Sequence, residues 1–181
     1  MKGIQIIFCF LFGIVLVSSC IEEQNFDQFD ALTVEPEYEA SIIYVEAPEA
    51  LVNAVAASNF YAQDFNFDAF SENVFADRVI EGSVTYLVDN TTSKALELTV
   101  QFLNEANEVL DTEIFMIDEG PTAVLEREVF YGDGGKPIEI IRNTSSIRVS
   151  AANLGDDVST SDLPDPKIIL RSSGKFRVRL R

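Results

Sequence analysis

In residues 96–102 (LELTVQF), Leu96, Leu98, Val100 and Phe102 alternate with Glu97, Thr99 and Gln101. A period of two sends the first set to one face of an extended chain and the second to the other, which predicts a strand with one buried and one wet face. Alternating or β-branched runs also occupy residues 41–45, 84–88, 109–117, 124–131, 138–141, 147–151, 168–170 and 176–181. Polar turns separate them: 89–94 (DNTTSK), 104–108 (NEANE), the breaker cluster 132–137 (GDGGKP) and the long acidic stretch 153–166. Helical spacing is confined to a short segment, where Pro48 precedes Leu51, Ala54, Val55 and Ser58 and predicts a helix of about three turns. Many short strands at regular spacing, without long helical periods, predict an all-β fold, either a sandwich or an open barrel of antiparallel strands. In the closing strand, Phe176, Val178 and Leu180 are expected in the core, with Arg177, Arg179 and Arg181 facing water.

Residues 59–75 (NFYAQDFNFDAFSENVF) are rich in aromatics, and Phe65 and Phe67 share one face of an extended chain. This segment is expected to cover the core, with an exposed aromatic surface for a glycan or protein as the rival reading. Residues 84–112 are similar to the hairpin pattern of immunoglobulin-like and late-embryogenesis-type sandwiches, with Asn-Thr at one turn and an acidic turn after Phe-Leu. The resemblance implies an immunoglobulin-like β-sandwich of about seven to nine antiparallel strands rather than a barrel.

The N-terminus has a different character. Lys2 is followed by an apolar run of fourteen residues, 4–17, then Ser18-Ser19 and Cys20. A membrane-spanning helix needs roughly twenty apolar residues, and Glu22 and Glu23 replace the basic flank of a stop-transfer segment, so the pattern predicts a cleaved export signal over 1–19. The segment Val17-Ser18-Ser19-Cys20 resembles the lipobox of bacterial lipoproteins. That resemblance implies acylation of the Cys20 thiol, cleavage before it, and a domain anchored to the outer membrane by lipid without crossing it. Glu22 and Glu23 resemble the acidic surface-export signal of Bacteroidota lipoproteins, and the whole chain resembles lipoproteins of flavobacteria. Residues 20–36 then read as a flexible acidic tether and 37–181 as one domain.

Composition narrows the chemistry. The formal charge is −17, and one more negative once Lys2 leaves with the signal. Such a chain repels phosphate backbones, which argues against nucleic acid as a partner. The charge is unevenly spread: residues 21–77 hold thirteen acids and no base, and residues 167–181 hold six bases and no acid. The two segments are therefore expected to lie against each other, with a docking role for the basic end as the alternative. There is no histidine, and Cys9 leaves with the signal, so triads and imidazole metal sites are excluded and no disulfide forms within the mature chain.

A carboxylate hydrolase would need two acids about 5 to 10 Å apart in a cleft. Calcium is the one metal to weigh, because oxygen ligands abound. Asp64, Asn66 and Asp68 imitate the start of an EF-hand loop, but Ala69 and Phe75 stand where glycine and glutamate are required. Asp156, Asp157, Asp162 and Asp165 share one loop and either converge on calcium or are simply solvated. The glycines at 132–135 read as a turn rather than an anion cradle, and the Asn90-Thr91-Thr92 and Asn143-Thr144-Ser145 acceptor patterns as incidental. The expectation is a non-catalytic, lipid-anchored sandwich without cofactor that binds an envelope protein or polysaccharide, accessory to an outer-membrane complex. A calcium-dependent adhesion module is the alternative, with a carboxylate glycan hydrolase behind it.

Overall fold

The computed structural model describes residues 32–67 and 73–180; the signal, Cys20 and most of the tether lie outside them. A compact unit spans Thr33–Arg181. It contains eight strands: β1 Glu37–Pro48, β2 Asn59–Asn66, β3 Val79–Asn90, β4 Leu96–Leu103, β5 Val109–Ile117, β6 Leu125–Tyr131, β7 Ser146–Asn153 and β8 Lys167–Val178. Three single helical turns join them: α1 Glu49–Val52, α2 Asn73–Ala76 and α3 Glu139–Arg142. The strands form two antiparallel four-stranded sheets, in the orders β1-β8-β3-β6 and β2-β7-β4-β5.

The all-β sandwich is thus the one the alternation predicts, and its core is made by the predicted faces. Leu96, Leu98, Val100 and Phe102 of β4 face Val84, Tyr86 and Val88 of β3 across the interior, with Ile147 and Val149 of β7 and Ile168 and Leu170 of β8 beside them, and all are buried. Full burial of each such side chain contributes roughly 1.5–3 kcal/mol. The connectivity refines the immunoglobulin-like expectation. Every connection except β4–β5 passes from one sheet to the other, and β8 lies between β1 and β3. This is the strand order of a jelly roll, an eight-stranded double-sheet fold of two Greek keys.

Several local expectations change with that topology. Residues 84–88 and 96–102 flank a crossover between sheets, not a hairpin turn, because β3 and β4 belong to different sheets. The true hairpin is β4–β5, closed at Asn104–Glu108 by Asn104 N donating to Glu108 O (3.0 Å), with Asn107 at φ 60°. Residues 138–141 lead into and form the turn of helix α3 instead of a strand: Ile141 is buried, and Ile138 and Ile140 pack on the core half-buried. The predicted three-turn helix after Pro48 is the single turn α1.

Residues 168–170 and 176–181 are parts of one strand, β8. Ser172, Ser173 and Gly174 look like a break in the sequence, but β8 is bonded on both sides, to β1 and β3, and the ladder carries through them. A Cβ at Gly174 or at Gly82, which sits opposite Phe176 on β3, would collide with the Phe176 ring. The ring therefore lies over two side-chain-free positions, with Phe75 edge-on to it at 5.7 Å. Phe176 and Val178 are buried as expected; Leu180 is 43% exposed, because the strand ends at Val178 and Leu180 only donates its N–H to Val34 O. Arg177 and Arg179 do face outward, and Arg181 lies outside the described residues.

Acidic and basic ends meet, as the charge segregation predicts. Strand β1 pairs antiparallel with β8, and Lys175 bridges Glu37 at 2.8 Å, Lys167 bridges Glu46 at 3.1 Å and Arg179 bridges Glu35 at 2.7 Å. These pairs are exposed and contribute little stability each.

Gly174→Ala is expected to cost about 1–3 kcal/mol, since strand backbone accepts alanine and the new methyl meets the Phe176 ring and the end of the Ile42 side chain. In a Phe176→Ala background, itself destabilised by about 3–5 kcal/mol, the same change should cost less. Urea unfolding of the four variants measures this. Equal costs of Gly174→Ala in both backgrounds would show that the ring does not need the glycine.

Candidate functional site

Strands β5 and β6 are the edges of their sheets on the same side of the sandwich. On β5 the inward set continues as Asp111, Glu113, Phe115 and Ile117, so two carboxylates point toward the interior of the open side. From β6 and the turn after it come Arg127, Tyr131 and Lys136. Lys136 Nζ donates to Asp111 Oδ1 and Oδ2 at 2.8 Å and to Glu113 Oε1 at 2.5 Å, while Arg127 Nη1 reaches Glu113 Oε2 at 3.2 Å. Tyr131 donates to Asp111 Oδ2 at 3.1 Å. The glycine turn places Lys136: Gly132 and Gly134 have φ of 103° and 74°, and Lys136 N bonds Phe130 O at 2.8 Å.

The arrangement seals a sheet edge. Arg127 also donates to Ile114 O at 3.0 Å, occupying a carbonyl of edge strand β5, and its guanidinium lies 4.3 Å from the Phe115 ring centroid. Inward-pointing charge is a device by which proteins blunt an edge that could otherwise pair with another chain. Tyr86, whose ring lies tilted against Phe115 with centroids 5.2 Å apart, is buried with its hydroxyl unpartnered. Burial, reinforced by the charges of Glu113 and Asp111, pushes the Tyr86 hydroxyl far above the ordinary phenol range. Burial and the neighbouring Tyr86 and Asp111 do the same to Tyr131. For Lys136, burial alone would lower the pKa, but the bonds from Asp111 and Glu113 outweigh it and raise the ammonium above the usual lysine value.

Asp111 and Glu113 come close enough together for a hydrolase pair, since they share one ammonium. Their charges are already met by Lys136 and Arg127. Sequence inspection missed this pair. The visible signal was polar residues on the inward phase of β5, Asp111 and Glu113 in line with Phe115 and Ile117.

At one end of the sandwich, the β1–β2, β3–β4, β5–β6 and β7–β8 connections come together. Asn90 Nδ2 donates to Lys94 O (2.9 Å) and Asp118 O (2.8 Å), Gly120 N donates to Thr92 O (2.7 Å), and Asn153 Nδ2 reaches Val52 O, Val55 O and Asp156 O at 2.9–3.2 Å. Asn90, Thr92 and Asn153 are fully buried, so the Asn90 acceptor pattern is structural; Asn143 is exposed and donates to Glu139 O at 2.7 Å.

The four loop aspartates do not converge. Asp156 is bonded to the buried Lys94 ammonium, which holds its carboxyl below the usual range, and Asp165 pairs with Lys167 at 3.1 Å, while Asp157 and Asp162 are exposed. Among the described residues, no group of three or more carboxylates is placed to hold a metal ion. Asp64 is bound in a fork by Arg148 at 2.7 and 2.8 Å, Asn66 is exposed, and Asp68 lies outside the described residues. Phe65 and Phe67 pack against the core, which favours the covering role of that segment over an exposed aromatic surface. Cys20, the predicted lipidation site, lies outside the described residues.

No family model and no curated protein matches the chain. Solved structures similar to it include a Bacillus endospore appendage protein (8% identity, TM-score 0.36, 80% of this chain and 89% of that one). An infectious bursal disease virus-derived T=1 particle is also similar (11%, 0.42, 80% and 32%), as is desmodium yellow mottle tymovirus (8%, 0.37, 83% and 89%). This chain thus spans about a third of the length of the bursal disease virus protein. At these TM-scores the functional assignment draws nothing from them.

Lys136→Met should destabilise by about 1–3 kcal/mol, because it leaves Asp111 without a cation and Glu113 with Arg127 alone, although the ammonium is about one-third exposed and part of its contribution is screened. Tyr86→Phe should change stability by no more than about 0.5 kcal/mol, or raise it, because the lost hydroxyl has no partner. Chemical denaturation compares the two variants. A larger loss in Tyr86→Phe than in Lys136→Met would contradict the assignment.

The same groups predict alkaline unfolding. Lys136 has a folded pKa above its ordinary 10.5, so its contribution is complete below that pH and disappears as pH rises through the folded value. The tyrosines have folded values above 10.0, so the unfolded chain ionises first and stability falls above pH 10. Tyr86 and Tyr131 should therefore ionise only with unfolding. Tyrosinate absorbance in which all five tyrosines titrate reversibly while the β-sheet circular dichroism persists would refute this.

Proposed function

We propose that this protein is a lipid-anchored, non-catalytic binding module of the outer membrane, held through Cys20 and engaging an envelope protein by the loop end of its sandwich. The observation that carries the reading is the polarity of the domain. The chain enters β1 beside the end of β8, where Pro36 O accepts from Val178 N at 3.0 Å, and the four connections gather at the opposite end. Strand β1 has twelve residues, which at about 3.3 Å each separates the two ends by roughly 40 Å. A tether that leaves from one end keeps the other away from the anchor.

That far end suits a partner. Leu154, Val158 and Leu163 are 42–60% exposed, among Asp157, Asp162, Asp118 and Glu119. Apolar side chains rimmed by one sign of charge favour a protein surface that presents basic residues. The ion pairing of Asp111 and Glu113 supports the non-catalytic reading over a glycan hydrolase, which would need one free acid and one free base.

Cys20→Ala is expected to abolish labelling by radioactive fatty acid and to leave the precursor uncleaved by the lipoprotein signal peptidase. Label on the alanine variant would end the anchoring part. Charge reversal at Asp157 and Asp162 should reduce crosslinking of membrane-bound protein to its envelope partner several-fold without moving the thermal midpoint. Unchanged crosslinks would remove the loop end from the interface.

A further inference from the structure

Beneath the loop of residues 153–166, one carboxylate is buried with its charge half answered. Glu49 opens helix α1 and is 3% exposed. Its Oε1 accepts from Ser93 N at 3.1 Å and from the Ser93 hydroxyl, whereas its Oε2 is buried without a hydrogen-bond partner. Asn53, one helical turn on, has its Oδ1 in the same condition. Both residues line one cleft of about 310 Å³, and Ser159 and Asp165 line it too.

The nearby cations are engaged elsewhere. Lys94 donates to Asp156 and to Val158 O at 2.6 Å, and Lys167 is shared by Glu46 and Asp165 at 3.1 Å. A buried carboxylate without a counter-charge is costly, and buried polar atoms left unpaired call for an ion or a water. Two orphaned oxygens, one anionic and one amide, belong to residues of one cleft together with a serine and with Asp165, whose carboxylate also pairs with Lys167, and hard oxygen ligands of this kind match calcium. A water-sized sphere does not reach the two orphaned atoms, but a calcium ion sits only 2.3–2.6 Å from its oxygens.

We propose that the cleft lined by Glu49, Asn53, Ser159 and Asp165 is a calcium site. Glu49 supplies the buried charge, Asn53 a neutral oxygen, and the two loop residues close the site from outside, with water completing the six to eight ligands calcium takes. The ion would tie helix α1 to the β7–β8 loop and so order the end assigned above to the partner. Magnesium, which needs a smaller and stricter octahedron, should bind more weakly. The site depends on the fold alone and stands whether or not the anchoring and docking reading holds.

The test uses the full chain, stripped of divalent ions with EDTA. With a dissociation constant in the 10⁻⁴–10⁻³ M range of extracellular modules, 10 mM calcium should raise the thermal midpoint by about 4–8 °C, and magnesium by less. Calorimetric titration should give one calcium per chain. Glu49→Gln should lose most of the calcium response, Asn53→Ala part of it, and the paired control Asp157→Asn with Asp162→Asn none. If Glu49→Gln does not fold, the calorimetry of the parent and the Asn53→Ala response carry the test. No midpoint shift and no binding heat in the parent would overturn the proposal. So would a full calcium response in both Glu49→Gln and Asn53→Ala.

Discussion

The last strand of the chain lies between the first and the third, and the rest of the sandwich depends on that placement. Strand β8 is hydrogen-bonded along its length to β1 on one side and β3 on the other. Remove it and β1 has no neighbour, the β3–β6 pair loses its other flank, and Phe176, Leu170 and Ile168 leave the core. The pairing joins residues more than a hundred positions apart in sequence, so loop-closure entropy must be met before most of the burial is gained. The opposite charges of the two segments assist this step. Thirteen acids near the beginning and six bases at the end attract before any ladder forms, and several become the Glu37–Lys175, Glu35–Arg179 and Glu46–Lys167 pairs.

A sandwich that is not closed into a barrel leaves edges, and the inward face of an edge strand is only partly covered. Here the problem on the β5/β6 side is met with charge: Asp111 and Glu113 point inward and are bound by Lys136 and Arg127. The solution ties the two sheets together, since the carboxylates belong to one and the cations come from the other sheet and its turn. It also fixes the environment of Tyr86 and Tyr131, whose hydroxyls lie beside the same charges.

The loop end solves a different problem. Four connections that cross between sheets bring many backbone groups out of ladder pairing, and buried amide side chains take over: Asn90 and Asn153 each bond to carbonyls of neighbouring loops. These contacts hold the loops firmly at their base while Leu154, Val158 and Leu163 remain exposed at the surface. The proposed binding role draws on this arrangement, because a surface held at its base loses less freedom on association.

The sequence by itself determined the strands and which face of each is buried, because a side-chain period of two is a local property: β4 and β5 run where alternation puts them, and Phe176 and Val178 are inside. The charge segregation made a meeting of the two ends the expected arrangement, with docking of the basic end as the alternative, and only the β1–β8 ladder decided between them. The sequence did not determine that residues 84–88 and 96–102 belong to different sheets, that 138–141 close a helical turn, or that β8 continues through Ser172-Ser173-Gly174. Each of those depends on partners distant in the chain. A crossover and a hairpin use the same polar turn residues, and a glycine in a strand is a break or a seat for Phe176 according to what packs above it. The same reason hid the candidate sites. Lys136 lies more than twenty residues from Asp111 and Glu113, and Asp165 more than a hundred from Glu49, so only tertiary structure brought them together and decided which acids are paired and which oxygen is left without a partner.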